Sequence, residues 1–202
     1  MPQIHAQAAR PAAKQAATPP RERIVEVARE LFCRDGIHAT GIDRILAGAG
    51  ASKMTLYSRF GSKEALVREV LRQEGAAVRA VFLGAIAASA DTPAARLRHV
   101  IPALAVWFGD PRFTGCAFMN AIAEHTKGEP WLRELAREHH RLILDFLAGE
   151  AEAAGYAEPA MLARQILLVI DGAIAATMVS GDPAVLDVSA RNLEAVLVQA
   201  GI

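Results

Sequence analysis

The chain has 202 residues, 22 Lys/Arg against 22 Asp/Glu, and 52% hydrophobic residues. That is enough for one or two domains with a sizeable core, and many Ala and Leu beside few aromatics favour helix. The two cysteines, Cys33 and Cys116, lie too far apart in sequence for a disulfide framework or a metal-ligand motif, which suits a reducing, cytoplasmic setting. Charge is uneven along the chain. Residues 1–72 hold 12 Lys/Arg and 7 Asp/Glu, a net +5, and residues 73–202 hold 10 and 15, a net −5. A basic front on an acidic body fits a polyanion-binding head.

In chain order, residues 1–19 are rich in Ala, Pro and Gln and read as a disordered arm, with no apolar run that would make a signal peptide. A helix is expected to open near Thr18–Pro20, with Thr as cap and Pro in the first turn. Ile24, Val27, Ala28, Leu31 and Phe32 give it one apolar face, and Gly36 stops it near Asp35. A second helix is expected over 41–48, with Ile42, Ile45, Leu46 and Ala49 inward. "AGAGAS" supplies a tight turn with Gly50 as the left-handed residue, Ser52 caps a third helix that runs to Phe60, and Gly61 breaks it. Ser62 caps a fourth, long helix with Leu66, Val70 and Leu71 inward.

Beyond Asp91 every clear segment is helical. "TPAARLRHVIPALAVWFGD" reads as one helix kinked at Pro102, and "GCAFMNAIAEHT" as a short one. "PWLRELAREHHRLILDFLAGEAEAAG" is long and amphipathic, with Trp131, Leu135, Leu142 and Phe146 on its apolar side. Two more helices close the chain. The first holds Arg164, Gln165 and Asp171 within its apolar run, so it is expected as a buried soluble helix and not a membrane span. The fold class is all-α, about nine helices, with domains expected at 20–66 and 67–202.

Residues 41–60 read as helix, glycine turn, helix, with a first helix packed across them. That is the plan of a helix–turn–helix, whose second helix enters the DNA major groove. At 100° per residue, Leu56 and Phe60 define the inner side of the third helix. Met54 and Ser58 point outward, Thr55 and Tyr57 flank them, Lys53 stands at the start and Arg59 near the inner border. A surface this small, hydroxylic and basic suits a groove: Ser52, Thr55 and Ser58 offer hydroxyls, Met54 an apolar contact for a thymine methyl, and Tyr57 a phosphate contact. Lys63, in the first turn of the next helix, is placed for the same phosphate.

The stretch "RIVEVARELFCRDGIHATGIDRILAGAGASKMTLYSRFGSKEALVREVL" resembles the N-terminal domain of TetR-type transcriptional repressors. Phe32, Gly36, Ile45, Ala49, Gly50, Ser52, Thr55, Leu56, Tyr57, Phe60, Ser62, Lys63, Glu64 and Leu66 fill the family's positions in one register. The resemblance covers residues 21–71. It implies a three-helix DNA-binding domain followed by a helical ligand-binding and dimerisation domain. The DNA-binding residues it points to are Thr40, Arg44, Ser52, Lys53, Met54, Thr55, Tyr57, Ser58, Arg59 and Lys63. Gly41 stands where the family often has Ser or Thr, so a phosphate-binding hydroxyl is either lost or taken over by Thr40, and Arg59 replaces a frequent His.

The resemblance also implies a homodimer on a palindromic double-stranded operator, with the last two helices of each subunit in a four-helix bundle. Ile166, Ile170, Ile174, Met178, Leu193, Val196 and Leu197 are its candidate interface residues. A small-molecule effector is expected in the body, with Trp107, Phe108, Phe113, Cys116, Met119, Asn120, Trp131, Phe146 and Asp171 as candidate lining. Asn120 and Glu124, four apart on the short helix, either orient that ligand or bond backbone and solvent. Asp171 either orients the ligand or pairs with an Arg. A second reading is a redox-responsive regulator sensing through Cys116, near a helix start. His139 and His140 point different ways on one helix and are expected at the surface, not on a metal. No cofactor or metal is expected. Without a nucleophile–base motif, phosphate loop or metal cluster the chain does not read as an enzyme, and the hydroxyl- and Lys-rich face of 52–63 argues against a purely protein-binding adaptor.

Overall fold

The computed structural model describes residues 18–125 and 129–201, so all of the arm except Thr18 and Pro19 lies outside the described residues. Every regular element among the described residues is a helix: α1 (Pro20–Asp35), α2 (Ile42–Ala49), α3 (Lys53–Phe60), α4 (Lys63–Ala87), α5 (Pro93–Arg98), α6 (Val100–Phe108), α7 (Ala117–Glu124), α8 (Pro130–Ala153), α9 (Pro159–Ser180) and α10 (Ala184–Gln199). These ten become nine if α5 and α6, parted only by His99, are taken as one interrupted helix.

That interruption falls three residues before the expected kink. Pro102 has no N–H for the carbonyl of Arg98, and its ring crowds that carbonyl. The chain yields one turn earlier. The His99 N–H bonds Arg96 O at 2.9 Å in a tight turn, and the Ala103 N–H opens the new ladder on His99 O at 3.0 Å. At the start of α1, Pro20 takes the first helical position and Pro19, not Thr18, is the capping residue.

The helices gather into two compact units. One, the head, holds the described residues up to Ala76 together with Cys116–Ala136; the other holds Ala77–Gly115 and Arg137–Ile202. The head thus runs along α4 past residue 66 to Ala76 and takes in α7 and the first turns of α8. Its core is built from Ile24, Ala28, Leu31 and Phe32 of α1, Ile45 and Leu46 of α2, Leu56 of α3, and Leu66, Val70 and Leu71 of α4. Each of the larger side chains among them contributes about 1.5–3 kcal/mol by leaving water. Val25 is buried on α1, whereas Val27, expected in the core, is half-buried. Val27 lies beside Gly48, where a Cβ would come within 2.8 Å of its Cγ1.

In the second unit α9 and α10 pack on each other and on α6. Here five of the seven expected dimer residues need correction. Ile166, Ile170, Ile174, Leu193 and Leu197 are all buried within the single chain, at 0–5% exposure. Val196 is half-buried, and the thioether of Met178 fills the space a Cβ on Gly115 would need. Met178 is nonetheless 41% exposed, and beside it α9 and α10 leave Met161, Leu168, Val179, Val188 and Val198 outside. On α8 the buried line is Leu132, Leu135, Ala136, His139, Ile143 and Leu147, turned from the expected side, with Leu142 and Phe146 half-buried.

His139 is also a correction, since it is core and not surface, at 6% exposure. Its Nδ1 lies 2.7 Å from Arg79 Nη1, so the neutral ring accepts from the guanidinium. Burial, then the charges of Arg79 and His140, lower its pKa to about 3. His140 Nε2 lies 3.7 Å from Asp171 Oδ1, so the partner of Asp171 is a histidine rather than the expected arginine, and burial raises the Asp171 pKa. The stability that His139 contributes is present above the unfolded imidazole pKa. It is lost as pH falls, because the unfolded ring takes up a proton first. Between about pH 7 and pH 5 this ring alone removes about 2 kcal/mol. Urea unfolding at the two pH values will show that much less acid-dependent loss in His139→Asn, which keeps an acceptor for Arg79.

Candidate nucleic-acid interface

The turn between α2 and α3 follows from its residues. Gly50 adopts φ 57°, ψ 45° and its N–H bonds Leu46 O, a left-handed conformation that would cost an ordinary residue about 1–2 kcal/mol. The Ala51 N–H then reaches the same carbonyl at 3.1 Å. Ser52 caps α3 by accepting from the Thr55 N–H at 3.1 Å, satisfying one of the donors a helix start leaves open. Its Oγ also lies 2.9 Å from Thr55 Oγ1. Ser62 caps α4 in the same way, accepting from the Ala65 N–H at 3.0 Å.

With Leu56 fully buried, α3 turns its other side outward. Met54 is 80% exposed and Tyr57 49% exposed. Ser52, Lys53, Ser58 and Arg59 are exposed as well, and Thr55 is half-buried. Arg59, expected near the inner border, therefore stands clear of it. Ser58 Oγ donates to Thr55 O at 3.0 Å, which leaves its lone pairs outward. The cations here are held by surface carboxylates: Lys53 Nζ by Asp43 at 2.9 Å and Arg44 Nη1 by Asp35 at 2.8 Å. Asp35 also receives Arg34 at 2.9 Å. Exposed pairs of this kind are weak and screened by salt, so each cation is exchangeable onto a phosphate.

Two of the expected contact residues face inward. Thr40 is wholly buried, and its Oγ1 donates to Gly36 O at 2.7 Å, which locks the turn between α1 and α2. It therefore does not supply the hydroxyl missing at Gly41. Lys63 Nζ donates to Ile37 O at 2.7 Å. Burial lowers its pKa, opposed by the Glu124 carboxylate. A half-buried ammonium bonded to its own chain is a structural strut here.

Arg23 gave no signal in the sequence, because its partners lie up to 27 residues away. Its Nε donates to Ala49 O at 2.9 Å, its Nη2 to Gly50 O at 3.3 Å and its Nη1 to Thr18 O at 2.7 Å. A guanidinium at the carbonyl end of α2 satisfies acceptors the helix cannot and complements its dipole. Arg21 lies over the Phe60 ring, 5.5 Å from its centroid, so α1 grips both ends of the two-helix motif.

Of the expected effector-lining residues, Trp107, Phe108 and Phe113 form one cluster in the second unit, with ring centroids 4.9–6.1 Å apart. Phe146 and Asp171 belong to that unit too, whereas Cys116, Met119, Asn120 and Trp131 belong to the head. There the Arg68 guanidinium sits 4.5 Å above the Trp131 ring. Cys116 is buried at 7% exposure. Burial and then the Glu74 carboxylate push the Cys33 thiol up to about 11.

Residues 24–70 match the sequence model of bacterial regulatory proteins of the tetR family. The fold is that of a TetR-family transcriptional regulator from Streptomyces coelicolor, with TM-score 0.81 and 29% identity over 91% of this chain and 96% of that one. A Streptomyces avermitilis protein described as a TetR transcriptional regulator superposes with TM-score 0.80 and 31% identity over 92% of this chain and all of its own. The chain belongs to the TetR family of transcriptional regulators. This places it among regulators and not enzymes. The HTH-type transcriptional regulator UidR of Escherichia coli is 40% identical over 58 residues, which is 29% of this chain and 30% of the length of UidR. TetR-family likeness therefore extends through both units in fold, and is densest in sequence over the head.

Replacing Arg23 by Met keeps the apolar stem and removes the three backbone contacts. Urea unfolding will show a loss of about 1–3 kcal/mol, the cost of leaving carbonyls without a charged donor.

Proposed function

We propose that the protein binds a palindromic double-stranded DNA operator as a homodimer, acts as a repressor in the cytoplasm, and is released by a small molecule bound in its helical body. The observation that carries the DNA reading is the outward face of α3. It is a short helix fixed by one buried leucine, with Met54, Tyr57, Ser58 and an exchangeable Lys53 exposed around it. Small side chains let the helix backbone approach base edges, and the cation and phenol suit phosphates.

Binding to a duplex selected from a random library tests this by anisotropy at several salt concentrations. Lys53→Ala lowers the log–log salt slope by about one unit, since one phosphate charge is no longer met. Tyr57→Phe weakens selected and unrelated duplexes alike with the slope unchanged. Met54→Ala re-orders the preferred sequences, by about 1–3 kcal/mol at the base it touches. The absence of any salt-sensitive binding by the unaltered protein would sink the DNA reading.

The dimer reading rests on the apolar side chains that α9 and α10 leave outside. Met161 and Leu168 stand one heptad apart on α9 with Val179 further along, while Val188 and Val198 stand on α10. Leu168 is 72% and Val179 89% exposed. A stripe of this kind in a regulator that reads half-sites is suited to a two-fold four-helix contact. Leu168→Arg will sediment as a monomer at micromolar concentration, where the unaltered protein sediments as a dimer; a monomeric unaltered protein refutes the pairing. The effector reading rests on the Trp107, Phe108 and Phe113 cluster. In the same unit the buried Trp107 Nε1 and Thr177 Oγ1 lack a hydrogen-bond partner. Both are donors that a ligand acceptor would satisfy.

A further inference from the structure

The turn between α1 and α2 is held from two directions, and one of them is α7. The last residue of α7 is Glu124. Its Oε2 accepts from the His38 N–H at 3.0 Å. The carboxylate lies where a Cβ on Gly36 would be, 2.9 Å from Oε2 and 3.1 Å from Oε1, and Gly36 itself has φ 88°. The turn is therefore doubly committed to glycine, for its backbone conformation and for the room it leaves the carboxylate. The next residue along α7's exit adds a ring: His125 packs against His38 with centroids 4.6 Å apart and the rings tilted by 38°, held by its Nδ1 2.7 Å from Ala121 O. Lys63 Nζ in turn donates to Ile37 O at 2.7 Å. Gly36, Ile37 and His38 are thus each gripped in succession, and Thr40 locks the same turn from within. This turn feeds α2, and α2 packs on α3.

We propose that Glu124 is a positioning residue for the DNA-reading surface: through His38 and Gly36 it sets the turn that starts α2, and with it the pose of α3. Glu124 touches no DNA in this role; it acts through the turn. Charge and size fit the task. A carboxylate accepts a backbone N–H more strongly than a neutral oxygen does, and the Lys63 ammonium nearby attracts it. The DNA arm of the test rests on the proposed operator binding, whereas the exchange arm does not.

The test uses the full-length protein with Glu124→Ala and Glu124→Gln. Hydrogen exchange followed by mass spectrometry reads residues 36–50, with residues 184–199 as an internal standard. Glu124→Ala speeds exchange over 36–50 by about tenfold, the loss expected for one charge-assisted bond, and leaves 184–199 unchanged. Glu124→Gln, which keeps an oxygen for the His38 N–H, recovers most of that protection. On the selected duplex, Glu124→Ala weakens affinity by about fivefold or more, with an unchanged salt slope and an unchanged stoichiometric active fraction. The unchanged slope separates positioning from a lost phosphate contact, and the unchanged active fraction separates it from partial unfolding. Wild-type exchange over 36–50 in Glu124→Ala overturns the proposal. So does a loss of affinity that follows the active fraction alone. If the unaltered protein binds no duplex, the operator reading falls and the exchange result still decides the role of Glu124.

Discussion

An eight-residue helix has no stability of its own in water, yet α3 must present its outer side to whatever it reads in a fixed pose. The burial of Leu56 reconciles the two. It is the single fully buried side chain of α3, and it leaves the small and polar remainder free. Everything else in the head serves that insertion. α1 supplies the apolar floor, the left-handed Gly50 sets the angle of approach, Ser52 caps the free N–H groups, and Arg23 closes the carbonyl end of α2. The functional surface is small and polar because the anchoring was delegated to neighbours.

The same delegation explains why two residues expected at the DNA are bonded to their own chain instead. Thr40 and Lys63 spend their polar groups on the carbonyls of Gly36 and Ile37 in the turn before α2. A carbonyl in a tight turn that lacks a helical partner needs a donor, and these two provide it. A side chain already bonded to its own chain is a poor hand to offer a phosphate, since the new bond has to replace the old one.

In the second unit the difficulty is of another kind. α9 is apolar almost all round, and hydrophobic burial has no direction of its own. The helix wheel can find the apolar side chains but cannot say which of them meet their own core. Ile166, Ile170 and Ile174 do, and Leu168 and Val179 do not. The apolar side chains left exposed are therefore mostly not the ones that sequence spacing selects, Met178 excepted.

The sequence by itself determined the all-helical class, the positions of the turn glycines and capping serines, the anchoring of α3 by Leu56 and the outward side of that helix. These depend on local chemistry: φ at a glycine, a hydroxyl three residues from an N–H, a period of 3.6. It also carried the family, because fourteen positions agree in one register. Only the tertiary structure decided that α7 belongs with the head, that Arg23 caps α2, that His139 is core, that Thr40 and Lys63 face inward, and which side of α9 is spent on the core. Each of these joins residues tens of positions apart, such as His38 and Glu124. The energy of such a contact depends on a distance that no local pattern encodes.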